Sequence, residues 1–160
     1  MHITNPFANP EKIIGICGGG QLGKMLCEAA SAWDWKTAVL DQSPDDPAAR
    51  LAHKFVQGDF TKYEDVLNFG KQVDVLTIEI EKVNLEALIE LEKMGKIVHP
   101  SPRALGIIKD KALQKQFFID QGLPTVPQEL FDTKADVLKA IESGFLQIPF
   151  VQKLRTDGYD

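Results

Sequence analysis

Apolar residues fall into short runs that alternate with stretches of helical spacing. Residues 13–17 are apolar and end in glycines, which predicts a buried strand of a parallel sheet. Leu22, Met25, Leu26, Ala29 and Ala30 then recur at helical spacing and predict one apolar helix face. Residues 37–41 predict a second strand, residues 43–47 a turn, and residues 53–56 a short third strand. Thr61 and Glu64 have the spacing of a capping box, opening a helix to about Gly70. Residues 73–78 predict a strand that ends at Glu79. Asn84 then caps a helix with Leu85, Leu88 and Ile89 on one side, and residues 96–99 predict a further strand.

This alternation makes residues 1–100 an α/β domain with an open, doubly wound parallel sheet, because parallel strands need crossover helices. The character changes in residues 101–160. Ser101 and Pro102 open a helix that runs to about Gln121 and stops at Gly122, a left-handed cap. Thr133 starts another helix, with Val137, Leu138 and Ile141 inward and Gly144 closing it. Residues 150–153 read as a strand. A lone strand leading into a glycine-bearing turn leaves its edge groups unpaired, so the chain is expected to be truncated.

Composition narrows the function. The chain has 160 residues, 44% of them hydrophobic, enough for a real core. Its formal net charge of -5 excludes a nonspecific nucleic-acid binder, which carries a basic excess. Cys17 and Cys27 are too few for a disulfide framework and are expected to be packed thiols. The first residues lack a basic segment followed by an apolar run. No apolar stretch reaches the roughly 20 residues needed to span a membrane. A soluble, cytoplasmic protein without nucleic-acid or membrane partners is the expectation.

The turn at residues 18–23, Gly-Gly-Gly-Gln-Leu-Gly, carries glycine at the first, third and sixth places of the dinucleotide fingerprint. It follows a strand and opens a helix, so its amides suit a phosphate. Asp41, at the end of the second strand, stands where the fingerprint places a ribose-binding acid; a plain turn former is the other reading. Taken alone, the turn predicts a nicotinamide or flavin site.

Later segments change that reading. The turn with Lys24 and Met25, residues 40–48, residues 74–81, residues 100–102 with Lys109, Asp110, Lys111 and Lys115, residues 122–127, and Lys153 with residues 158–160 resemble, in order, the 5-(carboxyamino)imidazole ribonucleotide synthase family of the ATP-grasp superfamily. The resemblance covers nearly the whole chain. It implies a pre-ATP-grasp, Rossmann-like domain followed by the beginning of an ATP-grasp lid. It implies ATP- and bicarbonate-dependent carboxylation of 5-aminoimidazole ribonucleotide in purine biosynthesis, with ADP and phosphate released. Gly20, Gln21, Leu22 and Glu79 would hold the ribonucleotide, whereas Glu81 would be a bystander. Lys111, Lys153 and the loop of Asp157, Gly158, Tyr159 and Asp160 would hold ATP. The magnesium-binding carboxylates are expected beyond this chain, which leaves it inactive alone, and the full-length protein is expected to be a homodimer.

The sequence departs from the family at Lys24 and Lys111, where arginine is common, at Asn84, usually proline, and at Asp157, often glycine. Lysine at position 111 keeps the charge but loses the bidentate fork. Three alternatives stay open: a formate-dependent glycinamide ribonucleotide transformylase, an NAD-binding oxidoreductase module that needs only the first forty residues, and a noncatalytic, ligand-binding remnant.

Overall fold

The computed structural model describes residues 11–156. The chain divides between Gly106 and Ile107 into two compact units.

The first unit is built on a five-stranded sheet in the order β3-β2-β1-β4-β5, with every pair parallel. Its strands are β1 (Ile13–Cys17), β2 (Lys36–Asp41), β3 (Lys54–Gln57), β4 (Val75–Ile78) and β5 (Ile97–His99). Helices α1 (Gln21–Ser31), α2 (Tyr63–Lys71) and α3 (Leu85–Lys93) make crossovers between parallel strands. The central register matches Ile16 with Val39 on one side and with Thr77 on the other. Alternation along the strands then sends two sets of side chains to opposite faces.

One face carries Cys17, Ala38, Leu40, Leu76 and Val98 under Val66, Leu67 and Phe69 of α2 and Ala87, Leu88 and Leu91 of α3. The other carries Ile16 and Val39 against Cys27 of α1 and Ala48. Both cysteines are buried thiols, as expected. Burial, and secondarily the charge of Asp41, push Cys17 up to about 12, so it stays a neutral packing group.

Several local expectations are corrected. Helix α1 faces the sheet through Gly23 and Cys27, while Leu22, Met25 and Leu26 are 56%, 53% and 40% exposed. Small residues allow the helix to lie close, and the larger apolar residues turn aside. Leu26, Ala29 and Ala30 line an open apolar groove with Trp33 and Trp35. Thr61 does not cap α2, because its hydroxyl donates to Asp59 Oδ1 at 2.6 Å and Lys62 takes the cap position. Asn84 does cap α3, accepting from the Ala87 amide at 2.9 Å. The buried stripe of α3 is Ala87, Leu88 and Leu91, with Ile89 partly exposed.

Helix α4 (Pro102–Lys109) spans the division between the units. The second unit continues with α5 (Lys111–Asp120) and α6 (Lys134–Glu142). The single helix expected over residues 102–121 is two, broken at Asp110. That residue is extended (φ -119°, ψ 108°), and its carboxylate accepts from the amides of Ala112 and Leu113. Helix α5 ends as expected at Gly122, whose φ of 66° is left-handed. The amides of Gly122 and Leu123 return to the carbonyls of Ile119 and Phe118, which satisfies two groups of the last turn. Thr133 caps α6, with Ala140 buried and Leu138 exposed. Residues 150–153 are not a strand; Val151 is 83% exposed and no ladder holds the segment.

Leu88 is fully buried between α3 and the sheet. Leu88→Ala is expected to cost about 2–5 kcal/mol in urea denaturation. A loss below ~1 kcal/mol would show that this layer is loosely packed.

Candidate functional site

The strand order reverses between β1 and β4: from β1 the chain winds outward through β2 and β3, then returns to β4 beside β1. In such sheets ligands bind outside the carboxyl ends of the strands at this reversal. Here β1 ends at Cys17 and runs into the glycine turn, and β4 ends at Ile78 and runs into Glu79. The topology therefore brings together two segments that the sequence holds about sixty residues apart.

Two glycines make the turn possible. Gly18 has φ of 112°, in the left-handed range that favours glycine, and a Cβ there would meet Glu79 Oε2 at 2.5 Å. A Cβ on Gly23 would press into the carbonyl oxygen of Gly18, part of the backbone. The first turn of α1 can therefore sit directly on the end of β1. No side chain caps α1 at Gly20. The amides at this helix start are donors for an anion, reinforced by the helix dipole. Gly20, Gln21 and Leu22 form this rim, and the side chains of Gln21 and Leu22 are exposed.

Glu79 lies against the turn. Its amide donates to the Cys17 carbonyl at 2.9 Å. Its Oε1 would stand 3.6 Å from a Cβ on Gly20. Burial raises its pKa, and the charges of Asp41 and then Glu81 raise it further. Glu81 thus acts on the site through its charge. On the other side stands Asp41, which accepts from the Gly19 amide. Asp46 joins it: burial, the charge of Asp41 and a hydrogen bond to Asp41 raise the Asp46 pKa. Sequence reasoning placed Asp46 in a turn and missed this pairing, which depends on the fold of residues 41–48.

In the second unit the backbone brings two candidate cations to one neighbourhood. The Lys111 amide donates to the carbonyl of Arg155, two residues past Lys153, at 2.9 Å. Arg155 Nε reaches both carboxylate oxygens of Asp110 at 3.0 and 2.8 Å. Desolvation works against ionisation of Asp110. The Leu113 amide, the Arg155 guanidinium and the Ala112 amide outweigh it and hold the carboxyl below its usual range. Lys115 Nζ donates to Thr125 Oγ1 at 2.5 Å and to the Val126 carbonyl at 3.2 Å, pinning the proline-bearing segment. Asp157, Gly158, Tyr159 and Asp160 lie outside the described residues. Among the described residues, no group of three or more His, Cys, Asp or Glu could hold a metal ion. None of the described helices is long and apolar enough to cross a membrane.

An open α/β domain with an uncapped helix start and a carboxylate at its switch point has the architecture of the Rossmann-like class of folds. Residues 11–109 match the ribonucleotide synthetase preATP-grasp domain, and the chain belongs to that family. It is 40% identical over 154 residues to a phosphoribosylaminoimidazole carboxylase of Candida glabrata, covering 93% of this chain and 26% of that protein. It is 36% identical over 149 residues to an N5-carboxyaminoimidazole ribonucleotide synthase of Staphylococcus epidermidis, covering 92% and 38%. A solved N5-carboxyaminoimidazole synthase of Aspergillus clavatus, in complex with ADP and 5-aminoimidazole ribonucleotide, superposes with a TM-score of 0.81 at 33% identity, covering 92% of this chain and 39% of that one. The chain thus spans between a quarter and two-fifths of the length of these relatives.

Gly23→Ala is expected to destabilise the first unit by about 1–3 kcal/mol, read by denaturant unfolding, because backbone rather than a flexible side chain must move. A second expectation concerns acid. Glu79 has a raised pKa in the folded state, so the folded protein takes up its proton more readily than the unfolded chain. This group's contribution to stability therefore grows as pH falls from its raised value toward 4.5, the ordinary one, and is lost as pH rises back through that window. Glu79→Gln should remove that component from the stability-versus-pH curve. An unchanged curve would show that Glu79 is not desolvated in solution.

Proposed function

We propose that this chain is the ribonucleotide-binding end of an ATP-dependent carbon–nitrogen ligase. The reaction is carboxylation of 5-aminoimidazole ribonucleotide with ATP and bicarbonate, a step of purine biosynthesis. The carrying observation is the apposition of Glu79 to the glycine turn at the switch point, beside uncapped amides of α1. The named activities and bound ligands of the relatives support the same reading.

On this reading the amides of Gly20, Gln21 and Leu22 take the substrate phosphate, as a helix start takes an anion. The carboxylate of Glu79, an acceptor with two oxygens, takes hydroxyl or amine donors of the ribonucleotide. Lys111 and Lys153 supply positive charge for ATP phosphates, and residues 157–160 belong to a loop over them. Phosphoryl transfer in such enzymes uses metal ions to neutralise developing charge. The carboxylates that hold this magnesium are proposed to lie in parts of the whole protein outside the described residues. A cytoplasmic homodimer is the proposed form of the full-length enzyme.

The intact protein is expected to release phosphate from ATP only when both bicarbonate and aminoimidazole ribonucleotide are present. Release that instead requires formate and glycinamide ribonucleotide would point to the transformylase reading. Saturable micromolar NADH binding would revive the dehydrogenase reading. Glu79→Gln should weaken ribonucleotide binding about tenfold, the size of a lost hydrogen bond to a charged group, and leave ATP affinity nearly unchanged. Equal losses for both ligands would contradict the assignment of Glu79.

A further inference from the structure

Asp41 is turned inward at the switch point. Its Oδ2 accepts from the Gly19 amide, and its Oδ1 accepts from the Gln42 amide at 2.6 Å. One amide belongs to the turn after β1 and the other to the chain after β2, so a single carboxylate ties the two strand exits together. The surrounding bonds continue the tie. The Gly18 amide donates to the Leu40 carbonyl at 3.0 Å, and the Ala48 amide donates to the Gly19 carbonyl at 2.9 Å. The Asp41 side chain takes over where the β1–β2 ladder runs out.

We propose that Asp41 is a positioning residue: it clamps the glycine turn in the shape that presents the amides of Gly20, Gln21 and Leu22 to a phosphate, and it does not hold a sugar hydroxyl. The nature of the ligand rests on the ribonucleotide reading above; the clamp itself does not.

Acceptor capacity supports this. A carboxylate offers about four lone-pair sites. Two backbone amides engage both oxygens of Asp41, and Asp46 packs beside them. A Cβ built on Gly19 would stand 3.1 Å from Asp41 Cβ and 3.3 Å from Asp46 Cβ, so both acids pack against the turn. An acid that reads vicinal ribose hydroxyls in bidentate fashion turns both oxygens to them, whereas both oxygens of Asp41 accept from backbone amides. The clamp also consumes the Gly19 amide, which shifts anion binding along the turn to the start of α1. Charge acts in the same direction. Asp46 and Glu79 both feel the charge of this carboxylate, so an anion is best placed away from it.

The test compares Asp41→Ala and Asp41→Asn in the intact protein. Amide exchange is followed by NMR, and binding is measured for ribose 5-phosphate, 2-deoxyribose 5-phosphate and inorganic phosphate. Asp41→Ala should speed exchange at Gly19 and Gln42 tenfold or more. It should weaken all three phosphates by a common factor, about tenfold. Asp41→Asn keeps one acceptor oxygen and should recover part of both effects, which general unfolding would not produce. A loss confined to ribose 5-phosphate would overturn the proposal by making Asp41 a hydroxyl ligand. Unaltered exchange at Gly19 would overturn it as well. If none of the phosphates saturates the wild-type protein, the ribonucleotide reading falls, and the exchange rates alone decide whether the clamp exists.

Discussion

Gly23 has no side chain, and the carbonyl of Gly18 occupies the space one would need. This contact lets α1 begin directly above the end of β1. Everything else at the switch point is arranged around it. The amides of the first helical turn open toward the crevice only because the helix starts there. Glu79 can lie against Gly18 only because that residue lacks a Cβ and adopts a left-handed φ. A side chain at position 23 would lift the helix, move the amides and open the gap that Glu79 now fills.

Electrostatics at this edge are a balance of opposite tendencies. A helix start attracts negative charge, yet carboxylates already stand on both sides of the turn. The protein limits the conflict by spending those carboxylates internally. Asp41 is bound to backbone amides, and Asp46 packs against the same turn. The pKa of Glu79 is raised by burial first and then by the charges of Asp41 and Glu81. Under the proposed function, an incoming phosphate would meet amides whose neighbouring acid, Asp41, is already engaged.

Much of the fold was legible in the residues. Short apolar runs marked the five strands because each is sandwiched in a parallel sheet. Asn84, Thr133 and Gly122 marked helix ends because capping depends on local chemistry. Misreadings arose where side-chain size or a distant partner decides. Hydrophobic spacing gave α1 a face of Leu22, Met25 and Leu26, whereas the helix packs through Gly23 and Cys27, which such a pattern undercounts. Thr61 had the spacing of a cap, but Asp59 captured its hydroxyl. The helix break at Asp110 had a local signal, an acid ahead of a helical run, and the unbroken apolar pattern hid it. Of the site, the glycine turn was visible at once. The inward use of Asp41 was not, since it depends on the turn after β1 meeting the chain after β2.

The strand order also has a consequence for how the chain is made. The strand at the centre of the sheet, β1, is the first one synthesised, and its partner on one side is β4, residues Val75–Ile78. Until that later segment has left the ribosome, one edge of Ile13–Cys17 has no ladder. The run is apolar, uncharged and free of proline, the character of a segment prone to pair with other chains. The lysine before it and the glycines after it are its immediate safeguards during synthesis. The glycines that later shape the crevice thus also border a strand whose second edge is paired only when β4 follows.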